Sequence, residues 1–160
     1  MKKQNNTQER LLTSQKGQVY KMRTITKEEA VTLHRKMWNE IADMIKDGVH
    51  HAMVMDYKRE ALDRLGVERG THDRPLNHCY CCEYSKQNEV TNKVGCIHTC
   101  PISWIGKDKE TSQWSNTCGH DDSPYSKFTH ALSIHNGGQD FTKAEQYARE
   151  VANLPERPEV

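Results

Sequence analysis

Apolar and polar positions keep a helical rhythm towards both ends of the chain and lose it in the middle. Ala30, Leu33, Met37, Trp38, Ile41, Met44 and Ile45 recur at three- and four-residue steps, which puts them on one stripe of an α-helix. Thr26-Lys27-Glu28-Glu29 precedes the stripe as a capping box. The Thr26 hydroxyl can accept from the Glu29 amide while the Glu29 carboxylate reaches back to the Thr26 amide. Gly48 is placed to end this helix. A second helix is predicted over 52–65 from Val54, Tyr57, Ala61, Leu62 and Leu65, with Gly66 as its stop, and the short turn between the two predicts an antiparallel hairpin. His34 is expected as a partly exposed flank residue, and His50 and His51 as polar residues of the turn. Thr142-Lys143-Ala144-Glu145 reads as another capping box. Ala144, Tyr147, Ala148, Val151 and Ala152 then predict a last helix that Pro155 halts.

Between these helices the pattern is irregular. Residues 67–77 form a polar connector with Gly70 and Pro75, and short strands are expected over 93–97 and 102–105. The segment from His120 to Asp140 is rich in turn residues and is expected to present Tyr125 and Phe128 as exposed interface anchors. Tyr80, Tyr84, Trp104, Trp114, Tyr125 and Phe128 are expected to pack as a small second core. Residues 1–22 offer no such pattern and are expected to form a flexible basic arm ahead of a single domain over 23–160. Through Lys27 this end carries seven Lys or Arg against Glu9 alone.

Composition makes the middle more important. Of 160 residues 34% are hydrophobic and 28% charged, with a mean hydropathy of -0.94, so apolar burial is in short supply and a further source of stability is expected. The six cysteines all fall between Cys79 and Cys118. Three disulfides would suit a small secreted chain, but Met1–Arg10 has no apolar signal-like run and no later stretch approaches the ~18 apolar residues of a membrane span. The expectation is therefore a cytoplasmic protein with no membrane partner, in which thiols stay reduced and close-set pairs bind metal.

Zinc is the expected ion, held structurally by tetrahedral thiolates at ~2.3 Å. Cys79 and Cys82 have CxxC spacing, which lets one tight turn aim both sulfurs at a point. Cys96 and Cys100 form a Cx3C pair, Cys118 is a fifth candidate, and His98 is an alternative to one member of the second pair. Cys81, beside Cys82, is expected to point elsewhere. The fold class expected is mainly α with a small irregular α+β zinc-knuckle subdomain: an N-terminal helical hairpin, a central cysteine-rich metal centre and a C-terminal helix.

Three function classes follow. A non-enzymatic protein-binding module ranks first, a nucleic-acid-binding zinc module using the basic arm second. A metal-dependent nuclease built on His120, His135 and Asn136 ranks third, since no second histidine follows Asn136.

The capped helix Ile25-Thr26-Lys27-Glu28-Glu29-Ala30 with Leu33-His34-Arg35 and Trp38, then Cys79-x2-Cys82-Glu83-Tyr84, Cys100-Pro101-Ile102-Ser103-Trp104, Cys118 and Ser123-Pro124-Tyr125, resembles small cysteine-rich zinc-site proteins encoded by bacteriophages. The likeness runs from about Thr24 to Leu154, and its motifs are those of a zinc site. It implies an accessory early protein in the cytoplasm of a bacterial host, acting by binding host factors such as anti-phage defence proteins, with no catalytic residues to carry over.

Overall fold

The computed structural model describes residues 22–75, 79–88, 99–105, 117–133 and 138–158. The protein is mainly helical. Among the described residues there are five helices: α1 (Lys27–Lys46), α2 (Val54–Arg64), α3 (Tyr80–Gln87), α4 (Pro124–Ala131) and α5 (Phe141–Ala152).

The capping box at Thr26 is formed, with Thr26 Oγ1 accepting from Glu29 N at 3.2 Å and Glu29 Oε2 accepting from Thr26 N at 2.9 Å. Gly48 and Gly66 both follow helix ends with positive φ, 84° and 74°, a conformation that a side chain would strain. The cap of α5 differs from expectation. Asp140 Oδ1 takes the Lys143 amide at 2.9 Å, so the helix starts two residues earlier and Thr142 lies inside it. A carboxylate at the N-cap also meets the positive end of the helix dipole.

Two helices lie where the sequence suggested only turns. α3 is capped by Cys79 itself. α4 breaks the stretch expected to be turn-rich: Ser123 Oγ accepts from Ser126 N at 3.0 Å and Pro124 occupies the first turn, where its missing N–H costs nothing.

α1 is the axis of the molecule. Its buried stripe packs on α5, α2 and α3, and α5 packs in turn on α4. Of the aromatic residues expected as a second core, Tyr80, Tyr84, Trp104, Tyr125 and Phe128 belong instead to this one, and Trp114 lies outside the described residues. Trp38 meets Phe128 edge-on at 5.2 Å and Tyr125 at 5.8 Å, and Tyr57 meets Phe128 at 6.0 Å. Phe128 is fully buried and Tyr125 half-buried, so neither is the exposed anchor that turn chemistry suggested. Burial of side chains such as Trp38, Tyr57 and Phe128 contributes about 2–3 kcal/mol each. His34 also departs from expectation: it is fully buried in α1, with Trp38 and Trp104 beside its ring.

The strand expected over 102–105 is reduced to one antiparallel bridge, Ile102 with Glu156, in which Ser103 N donates to Pro155 O and Arg157 N to Pro101 O, both at 2.9 Å. The strand expected over 93–97 lies outside the described residues. Arg35 adds a contact to the Glu156 carboxylate and another to Leu154 O, and Lys27 reaches the Arg157 carbonyl. Residues 101–103 are thereby fixed against the C-terminal end of the fold and the flank of α1.

Met22 is buried in the core although composition assigned it to the arm, so the packed chain begins one residue earlier than expected. Arg23 follows it with ion pairs to Glu29 and Asp73. Residues 1–21 lie outside the described residues. The connector after α2 is held by Asp63, which receives Arg69 and Arg74 and whose carboxyl those two guanidinium groups keep well below the usual carboxylate range. No described helix is long and apolar enough to cross a membrane.

Candidate metal centre

Three separated segments bring sulfur to the N-terminal end of α3. Cys79 is the N-cap residue, and its sulfur accepts the Cys82 amide at 3.4 Å. A thiol at that position stands in for the usual Ser or Asp cap, drawn by the same unsatisfied amides and the same positive dipole end. The Cys82 thiol also donates to Cys79. This hydrogen bond, aided by Lys58 and by the Cys82 and Cys81 amides, lowers the Cys79 thiol to about 6 against the opposing effect of burial. Donating that proton, together with burial and the nearby sulfurs of Cys79, Cys118 and Cys100, pushes the Cys82 thiol far up.

Cys100 comes from the 99–105 segment. Thr99 anchors it to α3 through the Ser85 hydroxyl and, at 3.3 Å, the Ser85 carbonyl. Ser85 stands one turn after Cys81, and the consequence is a second sulfur pair: Cys81 donates its thiol proton to Cys100. Burial first, and then that donation, raise the Cys81 thiol. Cys100 is lowered because it accepts from Cys81, from the Ile102 amide and from the Trp104 indole, whose Nε1 lies 3.2 Å from its sulfur. Cys118 enters from the loop before α4. Its carbonyl is bound by the Ser123 hydroxyl, and its sulfur acts on Cys82 and on Tyr125.

Of the expected ligands, Cys79, Cys82, Cys100 and Cys118 thus share one neighbourhood, while Cys96 and the alternative His98 lie outside the described residues. Cys81 was expected to point away. It is fully buried and acts on Cys100, because a helix starting at residue 80 turns it towards the 99–105 segment, whereas an irregular knuckle would have splayed it outward.

The chemistry of the donor set fits a thiophilic ion. Cys79 and Cys100 each collect N–H donors that stabilise sulfur in its ionised form, the form a metal requires. Among the described residues, however, no three His, Cys, Asp or Glu side chains are spaced to hold an ion, and the thiols stand in hydrogen-bonded pairs.

His120 keeps to its own turn, its Nδ1 accepting from the Asp122 amide at 3.1 Å, and His135 and Asn136 lie outside the described residues. His50 stacks flat on Phe141 at 3.7 Å and His51 pairs with Glu60 at 2.7 Å, in keeping with turn residues that fasten neighbouring elements.

One residue of this neighbourhood was not singled out from the sequence. Lys58, on the buried face of α2, holds its Nζ 4.9 Å from the Tyr125 ring centroid and 5.6 Å from that of Trp38, and acts on Cys79. Only its place in the apolar stripe, one residue after Tyr57, hinted that its stem points inward.

Comparison with protein-family models, curated proteins and solved structures gives no match for this chain.

Proposed function

We propose that the protein is a zinc-stabilised, non-enzymatic binding module that acts by occupying a surface of another protein, a bacterial host or defence factor if the chain is phage-encoded. The observation that carries the reading is the meeting of thiols from residues 79–82, 100 and 118 around one helix start, in a mainly helical fold with limited apolar stock. Zinc drawn to such a set contributes its binding free energy to folding and turns the segments around α3 into a rigid knuckle subdomain. With four protein ligands the ion is closed to water and substrate.

Tyr125 and Phe128 face inward, so the contact surface is assigned to α2, whose ends leave Met53, Met55 and Leu65 exposed. Methionine suits such a role because its unbranched, polarizable side chain adapts to a partner.

The test has two parts. Elemental analysis of purified protein is expected to find about one zinc per chain, lost together with the fold in Cys79→Ser and Cys82→Ser; metal-free protein with thiols oxidised in pairs would end the zinc reading. A bacterial pull-down is expected to yield one stoichiometric partner, lost on changing Met53 and Met55 to Ser without loss of zinc. Salt-sensitive nucleic-acid binding that disappears with the basic arm would instead favour the nucleic-acid module, and Mg²⁺-dependent hydrolysis of DNA or RNA would favour the nuclease.

A further inference from the structure

Cys79, Cys81, Cys82, Cys100 and Cys118 are free thiols, but they are not equally placed. Cys79, Cys81 and Cys100 are 8%, 0% and 2% exposed, whereas Cys82 and Cys118 are half-buried and can be reached from solvent. The pair that the backbone fixes is Cys79 with Cys82. Cys79 stands at the N-cap of α3 in an extended conformation, its carbonyl accepting the Glu83 amide at 3.1 Å and its sulfur the Cys82 amide at 3.4 Å. The cap bond therefore holds the first sulfur over the residue that carries the second. Residues three apart at the start of a helix have Cα atoms about 5 Å apart, inside the roughly 4.4–6.8 Å that a disulfide spans. Tyr80, next to Cys79, is 1% exposed, so packing keeps the helix start in place.

A bond between these two sulfurs would close a short loop of backbone that is already ordered, so little chain entropy is lost. The Cys79 carbonyl keeps its Glu83 amide throughout. The Cys82 amide favours the reduced Cys79 sulfur, which is the better acceptor, and a stabilised reduced form makes a disulfide easy to reopen.

We infer that Cys79 and Cys82 form a reversible two-electron dithiol–disulfide site, entered through Cys82 and closed by Cys79, whose co-reactants are low-molecular-weight disulfides of the glutathione class. The inference does not rest on the zinc reading, since the step needs only the two sulfurs, and an ion held by them would block the step until it left. The Cys82 thiolate attacks one sulfur of the small disulfide, so that a mixed disulfide forms at Cys82 and one small thiolate leaves. The Cys79 thiolate then attacks the Cys82 sulfur, the Cys79–Cys82 bond forms and the second small thiolate leaves. Two electrons pass from the protein thiols to the small disulfide, and their two protons end on the two thiols released.

The experiment treats the full chain, as purified and after a chelator, with a series of ratios of oxidised to reduced glutathione, quenches by alkylation and reads intact mass and linked peptides. The first link to form is expected to join Cys79 to Cys82, with loss of two hydrogens, four of the six cysteines still open to alkylation, and full return of the thiols in excess reduced glutathione. An unfolded chain would pair its cysteines in many ways, so a single link marks the folded site. Cys79→Ser is expected to stop with glutathione attached at Cys82, and Cys82→Ser to leave buried Cys79 unmodified at the same ratio. Cys81→Ser and Cys118→Ser are expected to close the pair as the native chain does. If either Ser variant of the pair fails to fold, the link map of the native chain decides alone. Thiols that stay reduced at every ratio after chelator treatment overturn the inference and leave the zinc reading standing. A first link from Cys82 to Cys118, or from Cys81 to Cys100, overturns it as well. Closure only after the chelator supports both readings, whereas closure in a chain that is metal-free as purified supports this inference and ends the zinc reading.

Discussion

His34 has the clearest consequence of any single residue. Burial first, and then the neighbouring charges of Lys58 and Arg35, hold its folded pKa at about 4 against 6.5 for a free imidazole, although the bond to Val151 O pulls the other way. Above pH 6.5 neither folded nor unfolded chain carries the proton, and the native state keeps its full advantage. As pH falls from 6.5 towards 4 the unfolded chain protonates first, so stability drops, by on the order of 3 kcal/mol over the window. Denaturant titrations of native protein and His34→Gln across that range are expected to differ in slope, the variant being flatter. Parallel curves would show that His34 protonates in the folded state. Sequence could not place this residue, because a histidine beside an apolar stripe reads as a flank until the 99–105 segment and α5 are known to cover it.

At the scale of elements, what could be read and what could not divide along the origin of each signal. α1 was legible because cap, stripe and stop all agree: of the residues the spacing selects, Ala30, Met37, Trp38, Ile41, Met44 and Ile45 are buried and Leu33 half-buried, while Val31, His34 and Ala42 are buried outside that selection. α2 and α5 were legible from their stripes, with ends displaced by two residues or fewer at most boundaries. α3 and α4 were missed because eight residues are too few to show a period. Their caps were nevertheless present: Ser123-Pro124 is a strong helix start, and Cys79, read only as a metal ligand, caps α3. Ser123 is fully buried and serves both the Ser126 amide and the Cys118 carbonyl. Ser123→Ala is accordingly expected to cost about 1–2 kcal/mol, measured as a lower midpoint of denaturant unfolding. A loss near zero would mean that α4 is fixed by Phe128 alone.

For the whole molecule, the sequence led to too many cores. Tyr125 and Phe128 follow the cysteines in the chain, so they looked like part of a separate unit; in space they fill the gap beside Trp38 and Tyr57. Long-range packing of this kind leaves no local pattern to read. The boundary of the domain follows from the same packing. Removing residues 1–21 is expected to leave the thermal midpoint unchanged, whereas removal through residue 24 should lower it. The longer deletion takes away buried Met22, the Arg23 pairs with Glu29 and Asp73, the bond of Arg23 N to His72 O at 2.7 Å and that of Gln87 Nε2 to Arg23 O at 3.0 Å. Equal midpoints for the two truncations would show that this stretch adds nothing to the core.

The bond from the Trp104 indole to the Cys100 sulfur gives the centre an optical voice. An excited indole passes energy or an electron to whatever its N–H touches, and a protonated thiol, a thiolate and a metal-bound thiolate quench it to different degrees. Trp104 lies buried at 3.2 Å from that sulfur, so emission under selective tryptophan excitation should change in step with the state of Cys100. A mild oxidant, or a chelator if the proposed zinc is bound, is expected to alter the emission of the native chain and to have little effect in Trp104→Phe, where Trp38 and Trp114 keep their own signals. A chelator response that survives Trp104→Phe would place the reporting ring elsewhere. On the zinc reading proposed above, metal loading and release would then be followed in dilute solution, without a label, by light the protein already emits.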